Sequence, residues 1–453
     1  MFKLTNLASI VALTCMSAMP VFGGVSAEQA DQLGKNLTPI GAEMAGNSDG
    51  SIPKWTGGLP KNAGAINNGF RANPFAAEKP LFVIDGQNYS QYQQKLTPGQ
   101  VAMFKRYPQT YKMPVYVTHR SAGLSDRLAQ DIKQNALKAS LIEGGNGLKD
   151  LKTAIPFPVP QNGLEVIWNH ITRYRGGMMK RQTSTVVPQE NGQFVPINQV
   201  ESFAYADQVA GYDPSESGNM LFYYMAKTTE PARLAGNVLL VHETLNQVLS
   251  PRMAWLYNAG QRRVRRAPQV SYDGQVQGAE GLKTADGLEI FNGSPDRYEW
   301  KLLGKREVFI PYNSYRIGSP EVDYKTLIKP GHLNPDFTRY ELHRVWEVEA
   351  ILKAGERHIY AKRNIFIDED TWTIALADHY DSRGTLWRVA EAHLQYFYDV
   401  MAVYPTPEVI YDLTVGRYAA NGLINERPGA YDFTFTASKK DFTPAALRTE
   451  GIR

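Results

Sequence analysis

From about Met178 onward apolar and polar residues alternate with a period of two, whereas the segment before it repeats apolar positions at three or four. The alternation predicts strands at Leu234 to Glu243, Met253 to Tyr257, Val308 to Pro311, Arg344 to Leu352, His358 to Asp368, Thr371 to Asp378 and Thr385 to Phe397. They are linked by short turns such as Glu369-Asp370 and Asp381-Ser382-Arg383-Gly384, and Asn191-Gly192 is a further hairpin signal. In one strand Trp346, Val348, Ala350 and Leu352 face one way and Glu347 and Glu349 the other, so one face meets something apolar. Ahead of the strands, Thr97-Pro98-Gly99-Gln100 opens a helix ending near Pro108, and Ser125 caps a second through about Ile142. A third carries Leu164, Ile167, Trp168 and Ile171. Strand twist makes a long meander curl. The expected fold is α+β: a large curved antiparallel sheet forming an incomplete β-barrel, with helices covering its concave side.

Residues 28 to 95 are rich in Gly, Pro and Asn and lack a sustained period, yet Trp55, Phe70, Phe75 and Phe82 are more than a solvated linker carries. They are expected to form an extended arm packed on a single domain spanning 28–453. The first 27 residues read as an export signal, with Lys3, the apolar run Leu7 to Met19 and Val25-Ser26-Ala27 as the cleavage site. The sole cysteine, Cys15, falls inside it, so the mature chain has no thiol. A lipoprotein attachment at Cys15 is disfavoured by the preceding Thr14. The expected destination is the periplasm, with an outer-membrane lipoprotein as the weaker alternative.

The 453 residues are 43% hydrophobic and carry 49 Lys plus Arg against 45 Asp plus Glu, which excludes a dominantly disordered chain and gives no case for nucleic-acid binding. Gly46-Asn47-Ser48-Asp49-Gly50 matches a nucleophile flanked by glycines but lacks the strand and helix that pattern needs, so it reads as a turn. The eight histidines show no pairing at three or four, leaving a metal site only to long-range convergence. Asp378-His379-Tyr380-Asp381 is the densest polar cluster, yet no nucleophile, base and orienting group come together. No catalytic residue, metal ligand or cofactor is therefore nominated, and a periplasmic enzyme ranks last.

Two features point to binding. Arg262, Arg263, Arg265 and Arg266 follow an apolar strand, either guarding a sheet edge or docking an anionic headgroup or acidic partner. Trp255, Tyr257, Trp346, Val348, Leu352, Phe366, Trp372 and Trp387 are the expected contacts of a hydrophobic ligand, on the reasoning that a curved sheet encloses more volume than a few helices fill.

The opening Leu37-Thr38-Pro39-Ile40-Gly41-Ala42-Glu43 and Ala45 to Gly58 resembles that of domain-of-unknown-function family 1329. So do Trp168-Asn169-His170, Ser250 to Tyr257 leading into Arg262 to Arg266, and Tyr298-Glu299-Trp300-Lys301. The stretch from Met253 to Tyr398 also resembles the outer-membrane lipoprotein-sorting group, through a hairpin like Asp368 to Trp372 and a turn like Tyr380 to Gly384. The resemblance implies a non-enzymatic carrier or chaperone for a lipid, lipoprotein acyl chain or other hydrophobic molecule. It also implies association with an RND-type inner-membrane exporter and an outer-membrane protein, and the basic surface around Arg262 to Arg266 would give peripheral membrane contact. The alternative is an assembly subunit of an envelope transport complex whose groove is filled by its own side chains.

Overall fold

The computed structural model describes residues 24–452 apart from 153, 268, 269 and 271; most of the expected export signal, Cys15 included, lies outside the described residues. Sixteen strands form one sheet. In chain order they are β1 (Phe82–Ile84), β2 (Met113–Val115), β3 (Met179–Val186), β4 (Ile197–Tyr205), β5 (Met220–Glu230), β6 (Val238–Thr244), β7 (Met253–Asn258) and β8 (Arg263–Ala267). The second half supplies β9 (Tyr298–Pro311), β10 (Tyr340–Leu352), β11 (Lys362–Asp368), β12 (Ile374–Tyr380), β13 (Leu386–Phe397), β14 (Ala402–Asp412), β15 (Arg417–Leu423) and β16 (Tyr431–Asp432).

Two antiparallel meanders, β3 to β8 and β10 to β15, are fused where β15 pairs with β3. β2, from the segment after the arm, pairs in parallel with β10 at Val115 and Tyr340, and the arm adds β1 beyond it. β9 runs antiparallel along β10 for its whole length.

The incomplete barrel with helices on its concave side is not what forms. Among the described residues the sheet is an open path ending at β8 and at β1, which do not pair with one another. Both ends resist extension: β8 presents exposed Arg263, Arg265 and Arg266, and β1 is three residues long. Helices also pack on both faces. The helix α1 (Pro98–Arg106) sets Gly99 against Asp378 and Val389, while α3 (Gly163–Thr172) joins the core that holds Ala377 and Ala390, on the opposite side of the same strands.

Local chemistry explains the helices. Thr97 and Gln100 form a capping box with Pro98 in the first turn of α1. Ser125 caps α2 (Asp126–Lys138), which stops short of Ile142 because Ala139 turns extended and Ser140–Ile142 becomes a small strand. Asn162 caps α3, whose Val166, Ile167, Trp168 and Ile171 are buried in the largest core.

Asp378 and Glu391 are among the carboxyls buried in this sheet. Asp378 accepts the Gly99 N–H at 2.9 Å, and Glu391 accepts the hydroxyls of Tyr111 at 3.1 Å and Tyr340 at 3.2 Å. Burial pushes both up to about 7. Because the folded-state value of Glu391 lies above the ordinary 4.5, its contribution is fully present below that pH and is lost as pH rises through 7. Glu391→Gln is therefore expected to gain stability over wild type by roughly 3 kcal/mol more at pH 8 than at pH 5. Urea unfolding at the two pH values checks this, and equal differences at both would contradict it.

Candidate functional site

Beside the β1 end of the sheet lies a cleft of about 480 Å³, within the range of roughly 300–1,000 Å³ usual for small-molecule sites. Its walls are Leu81 and Phe82, the turn Tyr89–Lys95, and Val115 to Thr118, with Phe309 and Leu342 beneath and Gly50 and Ser51 at the rim. The Phe82 ring stacks on Tyr92 with centroids 5.0 Å apart, and both meet Phe309 edge-on at 6.1 and 6.2 Å. Leu81 and Val117 are 61% and 46% exposed, a large apolar surface left facing solvent at the mouth.

The turn that carries Tyr92 is built by short polar residues. Asp85 accepts from the N–H groups of Gln87 and Asn88, and the Asn88 amide donates to the Val83 carbonyl. Arg306 then donates to the carbonyls of Gln94 and Leu96, fixing the end of the turn over β9. Lys95 stands 3.8 Å from both Asp49 and Glu307, placing one cation and its two counter-ions on the rim.

A second feature lies where the arm meets the β11–β12 hairpin. Arg120 donates to both oxygens of Asp370 at 2.8 and 2.6 Å, and Arg344 and Lys305 reach Glu369 at 2.7 and 2.8 Å. Arg344 also donates to the Ala45 carbonyl at 2.6 Å, and Arg120 faces the carbonyls of Met44, Ala45 and Pro53. The indole N–H groups of Trp372 and Trp55 donate to the carbonyls of Ile40 and Ala122. The opening motif thus folds around a buried ionic network. Gly41 is required there: its φ is +94° and a Cβ would sit 1.8 Å from the Pro158 carbonyl oxygen.

The expected ligand contacts are dispersed, and none of them lines the cleft. Val348, Phe366 and Trp372 are fully buried in the largest core, with Trp346 packed against it. Trp346 stacks on Trp372 at 6.0 Å and lies under the Lys305 ammonium. Phe366 pairs across the ladder with Glu347, and so occupies the face opposite Trp346 and Val348. Leu352 pairs with Tyr298 at the far end of β10, and half-buried Trp387 lies against Tyr360 and Arg388. Trp255 and Tyr257 belong to a separate core, near the β8 end.

Arg262, Arg263, Arg265 and Arg266 are all exposed at that end. Arg263 and Arg265 pair with Asn258 and Leu256, while Arg266 pairs with Trp255 and shares its face. In the Asp378 cluster, Asp378 faces Gly99 and His379 stacks on Tyr360, on opposite sides of β12. The cleft itself was missed because Leu81, Phe82 and Val117 sit in short extended pieces with no period; the signal was the aromatic surplus of the arm.

An open mixed α+β sheet with an apolar cleft at one end is the class of structure these observations define. Within it, the chain belongs to the family described as Protein of unknown function (DUF1329), which matches residues 83–448. The Trp168, Ser250 and Tyr298 motifs fall inside that match, and the Leu37 to Gly58 opening precedes it. The chain is similar to the uncharacterized protein PA3922 of Pseudomonas aeruginosa, at 58% identity over 445 residues covering 98% of each.

Among solved structures it is similar to a putative outer membrane lipoprotein-sorting protein domain from Vibrio parahaemolyticus, at 13% identity and a TM-score of 0.43, covering 63% of this chain and 98% of that one. A DUF1329 family protein from Desulfovibrio piger matches at 13% identity and a TM-score of 0.40, covering 60% and 91%. A LolA superfamily protein from Nitrosomonas europaea matches at 12% identity and a TM-score of 0.38, covering 63% and 98%.

Proposed function

We propose that this protein is a non-enzymatic periplasmic carrier or chaperone that binds a hydrophobic molecule, a lipid or a lipoprotein acyl chain, in the cleft between Leu81, Tyr92, Val117 and Phe309. The supporting observation is the cleft itself: about 480 Å³ with an aromatic floor and two exposed aliphatic side chains at its mouth. Each Å² of apolar surface that a guest removes from water contributes about 25 cal/mol. The sequence pattern read as a leader ending at Ala27 supports export, and on this reading residues 28–453 act as one carrier-like unit with 28–95 as its arm.

The exposed arginines Arg262 to Arg266, at the other end of the sheet path, would meet anionic headgroups or an acidic partner surface. Service beside an RND-type exporter and an outer-membrane protein rests on the family resemblance alone.

A second reading, an assembly subunit without a ligand, is favoured by the packed interior, where the cavity between the arm and β13–β14 holds only about 50 Å³. Titration of the purified protein with a fluorescent fatty acid separates the two. Saturable one-to-one uptake is expected of the carrier, and its absence would leave the assembly reading.

A further inference from the structure

Beneath the arm, long-range folding brings together a histidine and two aspartates that no sequence spacing links. His343 on β10 has Nδ1 3.6 Å from Asp368 Oδ1 at the end of β11, and a ligand atom from each of His343, Asp368 and Asp370 lies within 4.8 Å of the others. All three side chains are buried. Two polar atoms at this point have no hydrogen-bond partner: Asp368 Oδ1 itself and the hydroxyl of Tyr312, whose ring lies 4.0 Å from that of His343. Buried polar atoms without partners are uncommon and call for an explanation.

We propose that His343, Asp368 and Asp370 bind one divalent transition-metal cation, of the Zn²⁺ type, with the Tyr312 hydroxyl beside it. One imidazole with carboxylate oxygens suits Zn²⁺, while all-oxygen Ca²⁺ chemistry and sulfur-seeking Cu(I) chemistry do not fit this donor set. The surroundings orient each ligand. Glu341 Oε2 lies 3.3 Å from the other nitrogen of His343, the carboxylate–histidine pairing that fixes a metal-binding ring. Thr371 donates to Asp368 Oδ2 at 2.7 Å, leaving Oδ1 for the cation. Arg120 holds both oxygens of Asp370 through one lone pair each, and a carboxylate oxygen has two.

Charge agrees with this assignment. The network joins six carboxylates, Glu43, Glu78, Glu341, Asp368, Glu369 and Asp370, to four permanent cations, Arg120, Arg339, Arg344 and Lys305. Two histidines complete the network, His119 on Glu78 and His343 between Glu341 and Asp368; counted with both rings neutral, as a metal-bound imidazole is, the network carries an excess of two negative charges, which one divalent cation neutralises. Asp370, Thr371 and Thr373 also line the 50 Å³ cavity between the arm and β13–β14. The bound cation would pin the β11–β12 hairpin beneath the arm, a structural role independent of whether the cleft carries a lipid.

The test uses the full mature chain, stripped with EDTA, supplied with Zn²⁺ and desalted. Wild type is expected to retain one equivalent and to show a raised Tm, and Asp368→Asn and His343→Gln to bind roughly tenfold or more weakly. No retained Zn²⁺ in wild type, or equal retention in both variants, overturns the proposal. X-ray absorption of the Zn²⁺-loaded wild type decides the matter if the variants do not fold. One imidazole in an otherwise oxygen shell is expected, and two or more imidazoles overturn it.

Discussion

Glu289→Gln is expected to cost about 3–5 kcal/mol of folding stability, because it removes the carboxylate shared by two buried guanidinium groups. Arg173 Nη2 and Arg175 Nη2 lie 2.8 and 2.7 Å from Glu289 Oε2, with side chains only 2% and 3% exposed. Burial alone would raise the Glu289 carboxyl, but the two arginines outweigh it and hold the group well below the ordinary carboxylate range. A depressed folded-state value means that this stability is present above the unfolded value of 4.5 and is lost as pH falls through the folded one. Neutral Gln leaves two positive charges without water or a counter-ion. Guanidinium unfolding of the variant measures the effect, and a loss below about 1 kcal/mol would show that the arginines find other partners.

The second large effect concerns binding. The paired change Leu81→Glu and Val117→Glu places two carboxylates at the mouth of the cleft, on positions 61% and 46% exposed, where the fold pays little for them. A hydrocarbon guest would then contact charge where it now contacts aliphatic carbon. At a loss of roughly 1.5 kcal/mol for each apolar side chain removed from contact, fatty-acid affinity is expected to fall on the order of 100-fold. Leu249→Glu, at a residue 74% exposed outside the cleft, is the control and should bind like wild type. A double variant that binds normally would remove the cleft from consideration.

The helices were legible because their signals are local: the caps at Thr97 and Ser125 and the apolar stripe through Trp168 need only a few consecutive residues. Several strands were legible for the same reason, since Trp346 and Val348 alternate with Glu347 and Glu349 and the hairpin turns lie between alternating runs. Closure was not legible. Twist predicts that a long sheet bends, but whether its two end strands meet depends on contacts between residues hundreds of positions apart, and here the ends are an arginine-bearing strand and a three-residue strand. The site followed the same rule. The expected contacts were chosen from alternation within strands, which does not tell that Phe366 and Trp346 occupy opposite faces, whereas the cleft is assembled from Phe82, Tyr92, Val117 and Phe309, brought together only by the fold. His343 and Asp368 were likewise invisible as a pair, because it is the β10–β11 ladder, which sets Asp368 opposite Val345 two residues from His343, and not spacing that makes them neighbours.

The most direct measurement of where a hydrophobic guest sits is photo-crosslinking of the intact protein with a diazirine-bearing fatty acid, followed by peptide mapping. The account predicts adducts concentrated in residues 81–95 and 115–118, competed away by unlabelled fatty acid. Competable adducts confined to the segments holding Trp346 and Trp372, or Trp255 and Tyr257, or no competable adduct at all, would contradict it.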